Sequence, residues 1–276
     1  MSTELKGFCN PLSPEGKSQL IGAPPWFFSY DMLAINYRAD EDQVKRHIPE
    51  PMKPAGMETD GCAIRFNNFV SVWDSDKELI YSNPERTFFK ESIISAHCNL
   101  HGREMQKIVY IWVDNDFTLA RGWFIGTPKK IGRTYMSFEK RHLFSMNKGI
   151  PDFDTGTTMG AFCEAHGERL VTAQMKLGNK ITPDKLPDCM KREIINEMYF
   201  PNIEIGATKP LLHMLIEAVA EVEVWDAWEC TDVQLDYHPS DIEEHTSLKP
   251  LEITSSYFLN MSLTMNGMKV LHDYNK

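Results

Sequence analysis

Apolar and polar residues alternate with a period near two in several short segments, namely "DMLAINYRA", "CAIRFNNFVSVW", "KIVYIWVDND", "RTYMSFEKRHLF", "RLVTAQMKL" and "LEITSSYFLNMSLTM". All six are rich in β-branched and aromatic residues, the composition of half-buried strands. Between them, stretches such as "GAPPW", "IPEPMKPAG", "GTPKK", "KGIPDFDTG" and "FPNIEIGATKP" concentrate proline and glycine and read as turns. Helical patterning is rarer. "DEDQVKRHI" offers Asp40 as an N-cap and stops before Pro49; "DKLPDCMKREIINEM" places Ile194, Ile195 and Met198 at helical spacing. "KPLLHMLIEAVAEVEV" fits a helix in its first half and a strand around Val222 and Val224. The pattern predicts an α+β, strand-dominated fold, an antiparallel barrel or cone-like sheet with a few flanking helices. With no repeat of fixed period and no low-complexity linker, residues 1–276 are expected to form a single domain.

Composition narrows the function classes. The chain has 276 residues, 42% hydrophobic and 25% charged, with a formal net charge of -10. An acidic protein is a poor partner for nucleic acid or an anionic membrane surface, which are bound by clustered lysine and arginine. The N-terminal "MSTELKGFCNPLSPEGKSQL" has no basic start followed by an apolar run, and no segment reaches the roughly 18 apolar residues of a membrane span, so a cytoplasmic location is expected. Six cysteines stand singly without a CxxC, which predicts reduced thiols and no zinc framework.

One stretch raises a chemical question. In "DNDFTLARGWFIGTPKKIGRT" two lysines, Lys129 and Lys130, follow an apolar, aromatic-rich run. A free lysine titrates near ~10.4, which leaves about one molecule in 2,500 neutral at pH 7. Burial, or a second cation nearby, disfavours the ammonium and enlarges that fraction. The neutral amine can then attack a carbonyl. Adjacent residues on a strand point to opposite faces, so Lys130 either reinforces Lys129 or is turned away and paired elsewhere; the sequence leaves both geometries open.

The segment "VDNDFTLARGWFIGTPKKIG" resembles the signature of the acetoacetate decarboxylase family. The similarity extends upstream through "INYRADEDQVKRHIPEPM" and "KESIISAHCNLHGREMQKIVYIWVDND", the latter aligning without a gap to the lysines. Downstream it includes "EVEVWDAWECTDVQLDYH" and "LEITSSYFLNMSLTMNGMKVLHDY", with extra residues expected around "SMNKGIPDFDTGTTMG" and "NKITPDKLPDCMKRE". The resemblance implies that Lys129 is the Schiff-base lysine, Lys130 its electrostatic helper and Glu91 a catalytic carboxylate. It also implies that Tyr30, Asn67, Phe89 and Trp123 line the substrate site. Tyr30 stands where the family has an arginine and Asn67 where it has a second glutamate.

The activity implied is a cofactor-independent carbon–carbon lyase that decarboxylates a β-keto acid through a lysine imine and enamine. The alternative is aldolase-dehydratase chemistry on a 2-oxo acid such as pyruvate, toward which Tyr30 and Asn67 move the weight. A noncatalytic ligand-binding barrel is a third reading, opposed by the retained lysines and Glu91. The resemblance further implies a homo-oligomer built on dimers. Other constellations are weaker: His97 and His101 with Cys98 would make a metal site only with a further ligand, and Ser255 and Ser256 beside Tyr257 have no base or nucleophile elbow.

Overall fold

The computed structural model describes residues 4–137 and 146–276. Twelve strands form one sheet: β1 (Trp26–Arg38), β2 (Lys53–Pro54), β3 (Cys62–Trp73), β4 (Phe88–Leu100), β5 (Arg103–Val113), β6 (Lys129–Ile131), β7 (Arg133–Met136), β8 (Thr158–Ala165), β9 (Glu168–Ile181), β10 (Glu193–Phe200), β11 (Leu212–Tyr237) and β12 (Glu252–Asp273). Among the described residues three α-helices accompany them: α1 (Glu41–Arg46), α2 (Leu79–Ser82) and α3 (Asp116–Phe124). The strand-dominated α+β expectation holds. The second half of "RTYMSFEKRHLF" lies outside the described residues.

Strands run in the order β10-β5-β4-β3-β1-β12-β11-β9-β8-β7, and a further pairing of β10 with β11 closes the first seven into a ring. The sheet is mixed, because β10 and β6 each run parallel to β5. Closure satisfies backbone groups that an open edge would leave bare. One face of the sheet carries the largest apolar cluster, with Leu33, Ile35, Tyr37, Ile64, Phe66, Ile94, Trp112 and Phe258 buried against strands β8 and β9. The opposite face holds a row of polar residues described below.

One element differs from the sequence expectation, and one that the sequence leaves open is a strand. The predicted helix across "DKLPDCMKREIINEM" is a 3-10 turn at Asp188–Met190 followed by strand β10. Ile194, Ile195 and Met198 suit a helix by spacing, but β10 completes the ring between β5 and β11, so both backbone edges find partners. The ambiguous "KPLLHMLIEAVAEVEV" enters β11, antiparallel to β12 over most of its length. Helix α1 forms where expected, with the Asp40 carboxylate accepting from the Gln43 amide at 3.0 Å.

Helix α3 begins at Asn115, whose side chain accepts from the Phe117 amide at 3.3 Å. It ends at Gly126, which has φ +67° and lies against β10. A Cβ there would come within 2.9 Å of the Met198 nitrogen and 3.0 Å of its Cα. Gly102 also has positive φ, but nothing lies within 4 Å of its would-be Cβ. Both alanine variants incur the left-handed backbone cost of about 1–2 kcal/mol; only Gly126→Ala must also displace a strand. Chemical denaturation is predicted to show Gly126→Ala less stable than Gly102→Ala by about 1–3 kcal/mol.

Candidate active site

Strand β6 pairs Lys129 with Ile111 and Lys130 with Trp112, so the two lysines leave opposite faces of the sheet. Lys130 is half-exposed and ion-pairs with Glu243, whose other oxygen accepts from the Trp112 indole at 3.1 Å. His166 Nε2 lies 3.4 Å from the same carboxylate. Burial alone would push the Glu243 carboxyl up, and donation from Lys130 and Trp112 reverses this to hold it below the usual carboxylate range. Glu243 also lines a surface cleft between α1 and residues 240–251, on the side of the sheet away from Lys129. Lys130 is therefore not brought to the site that holds Lys129.

Lys129 is buried, and its Nζ donates to Glu91 Oε2 and to Thr118 Oγ1, each at 2.8 Å. Desolvation is the largest influence on the ammonium and lowers its pKa. Glu91 opposes that shift, as an anion beside a cation must, while Arg121 reinforces it. The neighbouring cation implied for Lys130 is thus supplied by an arginine on α3. Arg121 is buried, and its guanidinium carbon sits 4.6 Å from the Phe28 ring centre, 5.3 Å from Phe89 and 5.5 Å from Phe117. Its Nη1 donates to Ser71 Oγ at 2.9 Å, while Nη2 has no partner. Burial pushes the guanidinium down to about 10, which leaves it cationic at neutral pH.

Thr118, Arg121 and Gly122 stand at i, i+3 and i+4 and so share the helix face turned to Lys129. Gly122 is needed for close approach. A Cβ at this position would lie 2.3 Å from Lys129 Cδ and 2.5 Å from its Cγ. These three residues escape sequence reading when the stretch before the lysines is taken only as an apolar, aromatic-rich run. An arginine and a glycine within a short aromatic helix were the available signals.

Opposite α3, strands β1, β3 and β4 arrange the remaining site residues in layers. Tyr30, Phe69 and Phe89 are in register, as are Met32, Asn67 and Glu91, and then Ala34, Arg65 and Ile93. Phe89 stacks on Phe69 with centroids 4.8 Å apart, and Lys129 Nζ is 5.5 Å from its ring centre. Tyr30 packs on Phe69, and burial drives its phenol well above the ordinary value, with Arg65 opposing and Glu91 adding to the effect. Asn67 is buried with neither side-chain heteroatom hydrogen-bonded. Tyr30, Asn67, Phe89, Glu91 and Lys129 are therefore brought together. Trp123 is not: its ring is half-exposed, and its indole donates to the Lys129 carbonyl at 3.0 Å, fixing the main chain behind the site.

The other candidate groups have structural partners. His97 is buried on β4 beside Arg192, with Asp60 at 3.6 Å, whereas His101 is exposed in the following turn. Among the described residues no cluster of three metal-ligating side chains forms. Ser256 Oγ donates to the Ala34 carbonyl at 3.0 Å, and Ser255 accepts from Asn36 at 2.9 Å. Among the described residues no helix is long and apolar enough to cross a membrane.

The electrostatics give a signed expectation. Arg121→Met removes the cation that disfavours the Lys129 ammonium and leaves Glu91, so the lysine pKa rises. Acylation of Lys129, followed by peptide mass against pH, is predicted to begin at higher pH in this variant than in wild type. Gly122→Ala is predicted to displace the Lys129 side chain and slow its acylation at least tenfold, with a thermal transition as cooperative as that of wild type.

The acetoacetate decarboxylase (ADC) family profile matches residues 9–275. No curated protein matches the chain. The enduracididine biosynthesis enzyme MppR, complexed with the condensation product of pyruvate and imidazole 4-carboxaldehyde, superposes with a TM-score of 0.87 at 26% identity, covering 99% of each chain. The MppR complex with pyruvate gives 0.85 at 26% identity, over 98% of this chain and 99% of that one. An acetoacetate decarboxylase-like enzyme from Sphingomonas wittichii RW1 gives 0.86 at 21% identity, over 97% and 100%. At 18% identity, acetoacetate decarboxylase from Legionella pneumophila gives 0.75 over the full length of both chains. With a profile match spanning nearly all its residues, the chain belongs to the acetoacetate decarboxylase family.

Proposed function

We propose that the protein is a cofactor-independent enzyme that forms an imine between Lys129 and a 2-oxo acid and makes or breaks a carbon–carbon bond through the resulting enamine. The observation that carries this reading is the buried Lys129 amine, held by Glu91 and Thr118 with the Arg121 guanidinium close enough to disfavour its charge. The Lys129 ammonium hands a proton to Glu91, and the neutral amine attacks the ketone. Glu91 returns that proton to the departing hydroxyl, so water leaves and a protonated imine remains. The Glu91 carboxylate then takes a proton from the adjacent carbon, and the C–H electrons flow into the iminium to give the enamine. The enamine attacks an aldehyde carbonyl while Glu91 protonates the new alkoxide. Elimination of water and hydrolysis of the imine release the product and restore the lysine.

Decarboxylation of a β-keto acid would use the same iminium as electron sink. Two features favour retention of the carboxylate instead. Arg121 is a buried guanidinium with an unpartnered Nη2 beside Lys129, and a cation held against a carboxylate stabilises the anion that decarboxylation consumes. MppR, the 26%-identical structural relative, binds pyruvate and its aldehyde condensation product. Its likeness supports the same class of substrate here.

Borohydride reduction in the presence of pyruvate is predicted to label Lys129 irreversibly and to leave Lys130 unlabelled, as read by peptide mass. Labelling at another lysine would refute the assignment. Condensation of pyruvate with an aldehyde should exceed carbon dioxide release from acetoacetate, and the reverse order would return the protein to the decarboxylase reading. Lys129→Ala abolishes either reaction, while Glu91→Gln lowers kcat by about 10²–10⁴-fold.

A further inference from the structure

A second cation lies one strand layer beyond the reacting pair. Arg65 precedes Asn67 by the two-residue period of β3 and therefore shares its face, about 7 Å away along the strand. It is buried; Nη1 donates to Ser95 Oγ at 3.0 Å, and Nη2 has no partner. Among the described residues no carboxylate pairs with it. In the next layer Asn36 is fully buried, donates to Ser255 and leaves its Oδ1 unpaired. The residue beside Arg65 on β1 is Ala34, with Ile93 on its β4 side, and the one beside Asn36 on β3 is Ala63, so an alanine flanks each polar group on one side.

Charge balance gives these orphan groups a meaning. Lys129 and Glu91 neutralise one another, which leaves Arg121 and Arg65 as two buried positive charges on one continuous face. A buried ion without a counter-charge is costly, because desolvation is not offset by a partner. A monocarboxylate can satisfy one guanidinium. A dicarboxylate can satisfy both, with the Asn67 amide free to donate to the nearer oxygen.

Resting on the 2-oxo acid reading above, we propose that Arg65 forms a distal anion subsite and that the preferred substrate is a 2-oxo diacid of about five or six carbons, its ketone at Lys129 and its far carboxylate at Arg65.

The test compares 2-oxo acids of equal length that end in a methyl group or a carboxylate, by the concentration needed for half-maximal borohydride trapping at Lys129. In wild type the five- and six-carbon diacids are expected to trap at concentrations at least tenfold lower than their monoacid counterparts. In Arg65→Met that ratio falls to about one, and in Arg65→Lys part of it returns. A ratio near one in wild type, or an unaltered ratio in Arg65→Met, overturns the proposal. A second readout is independent of imine chemistry and of any variant. Glutarate is expected to raise the wild-type melting temperature more than butyrate at equal concentration and ionic strength, and equal shifts count against the subsite. If no oxo acid traps at Lys129 yet glutarate stabilises selectively, the imine reading fails while the anion subsite stands.

Discussion

Removal of the Lys129 ammonium from water is the constraint on which the site depends. Desolvation dominates its altered acidity, and the contacts around it set how far the amine is freed. Glu91 works against that release at 2.8 Å, which makes it the nearest place for the proton to go when the amine becomes neutral. Arg121 works in the same direction as burial and is held away from solvent by four aromatic rings. The site thus combines a carboxylate that keeps the proton close with a guanidinium that weakens the lysine's hold on it.

The fold supplies this arrangement through two simple periodicities. A strand sends adjacent residues to opposite faces, so the lysine pair is divided: Lys129 enters the polar row with Asn67 and Glu91, and Lys130 caps the buried Glu243 on the other side. A helix returns to one face every three to four residues, so α3 brings Thr118, Arg121 and Gly122 to Lys129 together. The absent Cβ of Gly122 lets the lysine chain lie against the helix, and the Trp123 indole fixes the carbonyl behind it. Ring closure through β10 backs this assembly, since Gly126 at the end of α3 touches the Met198 backbone.

Much of the site was legible because it lies in strands whose alternation survives in the sequence. "CAIRFNNFVSVW" reads as a strand and is one, and the family resemblance placed Glu91, Asn67, Tyr30 and Phe89 beside Lys129, where the register brings them. The roles of Lys130 and Trp123 were not legible, because a two-residue motif does not say which face each side chain takes. Arg121 was hidden for a different reason. Its helix is nine residues long, interrupted by a glycine, and too aromatic to show a clear polar stripe, so its one charged inward residue went unread. Strand β10 was misread because Ile194, Ile195 and Met198 stand at helical spacing, and only pairing with β5 and β11 decides for a strand. Arg65 was in plain view within β3, but its importance lies in what it does not touch, which no sequence displays.

The central claim is that burial, aided by Arg121 and opposed by Glu91, makes Lys129 the amine that reacts. The most direct measurement is the titration of the Lys129 side chain itself, followed by nuclear magnetic resonance of its Cε and Nζ in the substrate-free protein and assigned by its loss in Lys129→Ala. A midpoint below the ordinary lysine value is expected. A midpoint at or above that value would mean that the Glu91 ion pair outweighs desolvation and Arg121 together, and would contradict it.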